Sequence, residues 1–155
     1  MNQGKPVVLV TYDGSEVSKT VFAPAARLAK LMNAGIVLVQ VLRAPPEVWS
    51  HPEAAHRDAE LARLKAAAQA ELDALAADLS SREGVEAAAQ TRMLGERWNV
   101  SAEILTVADE VDAETICMAT HGEGGIRRLF LGSTSQEVIS ESRRPVTLIR
   151  AGHEA

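Results

Sequence analysis

Two stretches of this sequence carry residue types able to hold a polar, multiply oxygenated ligand. The first is Asp13-Gly14-Ser15, which directly follows the apolar run Val7-Val8-Leu9-Val10. A carboxylate there can accept hydrogen bonds from ribose hydroxyls or help hold a magnesium ion. It serves equally well as structure: Asp-Gly is a turn dipeptide, and Asp13 or Ser15 can cap a following helix. The second stretch runs from His121 to Thr134 and contains Gly122, Gly124, Gly125 and Gly132-Ser133-Thr134. Glycines let a backbone approach an anion, and free N–H groups at a helix N-terminus form a phosphate site. The loop lacks the lysine of a Gly-x4-Gly-Lys-Ser/Thr phosphate loop, and the same glycines suit an ordinary connection. Arg127 and Arg128 add positive charge there or are simply solvated.

Composition excludes several classes. The chain has 155 residues and a net charge of −5, with 46% apolar and 24% charged residues, the balance of a globular domain without a basic face. Two Trp, one Tyr and two Phe leave no stacking platform for single-stranded nucleic acid. No nucleic-acid partner is expected. The lone Cys117 lies inside Thr115-Ile116-Cys117-Met118-Ala119, which marks a core thiol. No apolar run reaches the ~18 residues of a membrane helix, and Met1 to Lys5 carry no apolar signal region, so a cytoplasmic location without membrane contact is expected. His51, Glu53 and His56 flank a proline and make a poor metal set. Neither serines nor histidines suggest a nucleophile–base pair, and no catalytic residue is assigned.

The elements that must position Asp13 and the glycine loop alternate between short apolar runs and helical patterns, which predicts a parallel sheet. Strands are expected at Val7–Val10, Ile36–Leu42, Val85–Leu94 (an edge strand), Thr115–Thr120 and Val146–Ile149. One helix carries the stripe Val21, Ala25, Leu28, Met32, and a long one spans Glu53 to Arg82 with the stripe Leu61, Leu64, Ala68, Leu72, Leu75, Leu79. A third carries Val100, Ile104, Val107 and Val111, and a short fourth spans Ser133 to Ser142. Arg43 to Pro52, with Pro45-Pro46, is expected as a loop, and its Trp49 either packs on the domain or covers a ligand.

Five strands and four helices in this order predict one α/β domain over residues 1–155: a doubly wound five-stranded parallel sheet with helices on both faces. Its strand order would be 3-2-1-4-5, flavodoxin-like. Ligands in such sheets bind beyond the carboxyl ends of the strands where the order reverses, here between strands one and four. Asp13 and the loop from His121 to Gly132 both fall there. Competing folds miss required residues: Met93-Leu94-Gly95 lacks the aspartate of a phosphoacceptor domain, and Thr11-Tyr12-Asp13-Gly14-Ser15 is not Gly-x-Gly-x-x-Gly.

The opening Val8-Leu9-Val10-Thr11-Tyr12-Asp13-Gly14-Ser15-Glu16-x-Ser18 resembles that of universal stress protein domains. So do Leu28-Ala29 through Ile36-Val37-Leu38-Val39-Gln40-Val41, Ile104-x-x-x-Ala108, Ile116 to Gly122, and Leu131-Gly132-Ser133. The resemblance covers essentially the whole chain and implies the adenine nucleotide alpha hydrolase-like form of this fold. The nucleotide-binding branch carries Gly, two residues, Gly, nine residues, then Gly-Ser or Gly-Thr. Gly122, nine residues and Gly132-Ser133 match, while Ala119 stands at the first glycine. Carried over by position, Asp13 would meet ribose and phosphate, and Thr11, Tyr12 and Val41 would frame adenine. Met118, Ala119 and Gly122 would line the crevice, and Gly132, Ser133, Thr134 and Ser135 would hold phosphates. The resemblance implies ATP, with AMP or ADP as alternatives, accompanied by Mg or Mn. It also implies a homodimer joined through the last strand, Val146-Thr147-Leu148-Ile149. The function expected is a nucleotide-binding stress-response regulator. A non-nucleotide-binding dimeric interaction protein and a slow ATPase are the alternatives.

Overall fold

A computed structural model describes residues 4–95, 99–120 and 131–150. Its strands are β1 (Val7–Tyr12), β2 (Gly35–Arg43), β3 (Ala87–Leu94), β4 (Ala113–Thr120) and β5 (Val146–Arg150). They form one parallel sheet in the order β3-β2-β1-β4-β5, the order expected from the sequence.

Side chains alternate across a strand, so each strand feeds two cores. Val8, Val10, Ile36 and Leu38 face α2 (Phe22–Leu31) and α4 (Ala54–Glu83), meeting Ala25, Ala26, Ala29, Leu72, Ala76 and Leu79. Val7, Leu9, Val37, Val39, Ile116 and Met118 face α5 (Val100–Glu110) and α6 (Ser133–Glu141), meeting Ile104, Val107, Ala108 and Val138. Val8, Leu9 and Val10 are fully buried. Each such aliphatic side chain contributes about 1.5–3 kcal/mol. That double cover is why Val7 to Val10 of β1 are all apolar rather than apolar at alternate positions.

Two short helices interrupt segments expected to be plainer. The helix anticipated around Val21 is preceded by a separate turn, α1 (Glu16–Lys19), capped by Ser15. Arg43 to Pro52 is not all loop, because Pro46–Ser50 forms α3. Pro46 occupies the first turn of α3, where its fixed φ suits a helix and its missing N–H costs nothing. The described residues thus hold six helices, not four. Helix α2 ends at Asn33 (φ 51°), a left-handed residue that turns the chain into β2. No helix among the described residues is long and apolar enough to cross a membrane.

Candidate functional site

The turn after β1 is locked by its own side chains. Asp13 Oδ1 accepts from Ser15 N–H at 2.9 Å and from Ser15 Oγ–H at 2.6 Å. Ser15 Oγ also accepts from Ser18 N–H at 3.1 Å, so Ser15, not Asp13, caps α1. Gly14 has φ 89°, and a side chain there would also meet Gln40 Nε2 at 3.5 Å. Asp13 is therefore an exposed carboxylate held in place at the end of β1.

Opposite it, Gly132 precedes α6 with no side-chain cap. The first N–H groups of α6 are left without intrahelical partners, and the positive end of the helix dipole adds to them. Ser133 and Thr134 set hydroxyls beside these groups, and Ser135 lies nearly buried behind. The start of α5 is fixed by Asn99, which accepts from Ala102 N–H at 3.0 Å. The Ser101 hydroxyl, 2.5 Å from Asn99 Oδ1 and 2.6 Å from Glu137 Oε2, ties α5 to α6.

Between these elements lies a cleft of about 280 Å³. Thr11, Tyr12, Asp13, Val41, Met118, Ala119, Gly132, Ser133, Thr134 and Ser135, all singled out from the sequence, line it together. Gly122, with Arg127 and Arg128, lies outside the described residues. Sequence reasoning missed Val17, Ser18, Val39, Val100 and Ile104 as wall residues. Ile104 and Val100 were legible only as a helix stripe, since a cleft wall and a core use the same apolar spacing.

The cleft is divided chemically. Val39, Val41, Val100, Ile104 and Met118 form an apolar wall, while Asp13 and Ser133 to Ser135 form a polar end. Asp13 is the one ionisable carboxylate, and no lysine, arginine or histidine is among the described lining residues. Thr120 at the end of β4 is 2% exposed, and its hydroxyl has no partner among the described residues. Tyr12 sends its side chain to α4, where the hydroxyl donates to Glu71 Oε1 at 3.1 Å. Burial first, and then that carboxylate, push the phenol above its usual value. Cys117, buried in β4, is pushed up to about 11 by burial, with a hydrogen bond to Thr147 working the other way. A thiol so protonated at neutral pH is a poor nucleophile.

The remaining candidates fall elsewhere. Trp49 lines a separate cavity with Arg43, Pro45, Pro46 and Leu94, beyond the ends of β2 and β3. His51 and His56 stack with ring centroids 3.9 Å apart. No cluster of three or more metal-ligating side chains occurs among the described residues.

Comparison with known proteins places this geometry. The model of the universal stress protein family matches residues 6–150. A universal stress protein of Thermus aquaticus is 31% identical over 143 residues, covering 92% of this chain and 97% of that one. Among solved structures, protein MJ0577 of Methanocaldococcus jannaschii superposes with a TM-score of 0.75 at 19% identity, covering 96% of this chain and 98% of that one. The Archaeoglobus fulgidus universal stress protein in complex with dAMP gives 0.61 at 23% identity, covering 94% and 97%. A family match over nearly the whole chain, on a sheet whose order the sequence already implied, leaves one assignment: this chain belongs to the universal stress protein family.

Proposed function

We propose that the cleft binds an adenine nucleotide, ATP first and AMP or ADP as alternatives, and that occupancy sets a regulatory state of the protein. The observation that carries this reading is the division of one cleft into an apolar wall and an anion-compatible end. A planar base suits Val39, Val41, Ile104 and Met118, while phosphate oxygens suit the uncapped N–H groups of α6 with Ser133 and Thr134. The dAMP complex of the Archaeoglobus relative supports the same ligand class.

The donor set also fits a divalent cation arriving with a triphosphate. Asp13 and the Ser133 and Thr134 hydroxyls are hard oxygen donors, the kind Mg or Mn takes, but too few for a resident cage. Bound on the nucleotide, the cation would neutralise phosphate charge beside Asp13. The chain's own part is to orient the ribose and phosphates and to shield the base from water. None of the described lining residues is assigned as a general base, and hydrolysis is not part of the proposal.

Calorimetry of nucleotide-free protein with Mg-ATP tests the reading. Saturable binding at or below millimolar ligand is expected, and Asp13→Ala should weaken it about ten- to a hundredfold, the scale of hydrogen bonds to a charged group. Absence of binding at millimolar Mg-ATP would sink it. One observation favours a second reading, a dimeric interaction protein without nucleotide: Ala119, which lines the cleft, stands where the nucleotide-binding branch carries its first glycine. On that reading Ala119→Gly leaves binding absent. On ours it strengthens binding.

A further inference from the structure

The two edges of the sheet are finished differently. In a parallel ladder, successive residues of an edge strand turn their backbone groups alternately toward the neighbouring strand and outward. Ile36 N–H donates to Glu86 C=O at 2.8 Å, which sets the inward phase and turns Ala87, Ala89, Thr91 and Met93 outward. Outward groups of this kind are a template for another strand.

Three of them are occupied by side chains of α4. Ser80 Oγ accepts from Ala87 N–H at 3.1 Å. Gln69 Nε2 donates to Ala89 C=O at 3.2 Å, and Gln69 Oε1 accepts from Thr91 N–H at 2.9 Å. A sixth parallel strand would bond these last two groups through the N–H and C=O of one residue. The Gln69 carboxamide stands where that residue's groups would be. Its orientation is fixed chemically: Nε2 also donates to Asp73 Oδ1 at 2.8 Å, and Oε1 also accepts from Thr91 Oγ–H at 2.8 Å. Both donors and both acceptor positions of the amide are in use.

Among the described residues the β5 edge has no such cover. Ile116 N–H donates to Pro145 C=O at 3.0 Å, which turns Val146 and Leu148 outward. No side chain among the described residues bonds their backbone groups.

We propose that Gln69 is an edge lock: its carboxamide imitates a strand residue, closes β3 to strand pairing and leaves β5 as the edge open to a second copy. A sheet with one open edge makes a closed pair, whereas one with two open edges can chain indefinitely. The assembly half rests on the β5 pairing that the family resemblance implies. The lock itself does not.

Amide hydrogen exchange on the unmodified full chain tests the lock alone. After correction for intrinsic rates, Thr91 N–H should exchange at least about tenfold more slowly than the outward Ala89 and Met93 amides. Equal rates would overturn the lock, whatever the protein's oligomeric state. Gln69→Leu keeps a helix former on α4 and should bring Thr91 to the rate of Ala89. Gln69→Glu, which retains only the acceptor, should keep Thr91 slow. Sedimentation velocity of folded Gln69→Leu should reveal species larger than the parent's that grow with concentration. A folded variant sedimenting like the parent would overturn the assembly role, and a monomeric parent with slow Thr91 would overturn the β5 pairing while upholding the lock.

Discussion

Tyr12 shows how one residue can belong to a cleft and to the scaffold at once. Its backbone ends β1 beside the cleft, while its ring packs against Phe22 with centroids 5.9 Å apart and its hydroxyl reaches Glu71. Any contact with a base therefore comes from the main chain. Tyr12→Phe is expected to leave nucleotide affinity within about twofold, because the ring stays in place. The hydrogen bond to α4 is lost, which should cost about 0.5–1.5 kcal/mol in urea unfolding at pH 7. The pH dependence follows from the raised phenol. A group whose folded pKa lies above its unfolded value, 10.0 here, keeps its proton longer in the folded state. The stability it contributes is fully present below pH 10 and falls as pH rises through the folded value. The gap between parent and Tyr12→Phe should narrow over that range. A gap that widened above pH 10 would mean that the phenolate, not the phenol, is held. Of the cleft itself, Asp13 and Gly132-Ser133 were legible because turn and helix-start chemistry marks strand ends. Ser18 was not, since its burial comes from bonds to Ser15 made only once the turn has closed.

Helix α4 separates what periodicity dictates from what packing decides. Its stripe from Leu61 to Leu79 reads as one continuous buried seam, yet burial is confined to Leu72, Ala76 and Leu79. Leu61 and Leu64 are only half-buried. The sequence could not show this: periodicity reports which face is apolar, and only the neighbouring elements decide how much of it is covered. Strand order was legible for the opposite reason, since right-handed crossovers leave few ways to connect five parallel strands. The helix α3 was hidden by Pro45-Pro46, a pair that marks a loop as readily as a helix start. Unequal cover predicts unequal mutational cost. Leu72→Ala should lose about 2–5 kcal/mol, the range for a fully enclosed leucine. Leu61→Ala should lose well under half as much. Urea midpoints for the two variants check this, and equal losses would show that the N-terminal half of α4 is buried in solution by something further.

At the scale of the whole molecule, the question is what the open β5 edge meets. Val146, Leu148 and Ile149 on that strand are half-buried, so it carries apolar side chains beside backbone groups that have no partner among the described residues. An edge open among the described residues suits a second copy of itself, since a two-fold axis would pair outward groups with outward groups. A proline at position 148 tests the pairing directly. The N–H it removes points outward, so the ladder to β4 loses nothing, while the partner strand loses a donor and meets the ring. Pairing through β5 would make the parent a dimer in sedimentation velocity, and Leu148→Pro should then sediment as a monomer at the same concentration, with far-UV circular dichroism unchanged. Asp13→Ala, remote from this edge, should sediment like the parent. A folded Leu148→Pro protein that still pairs would place the interface on another surface, because no antiparallel ladder through the centre of β5 survives that substitution.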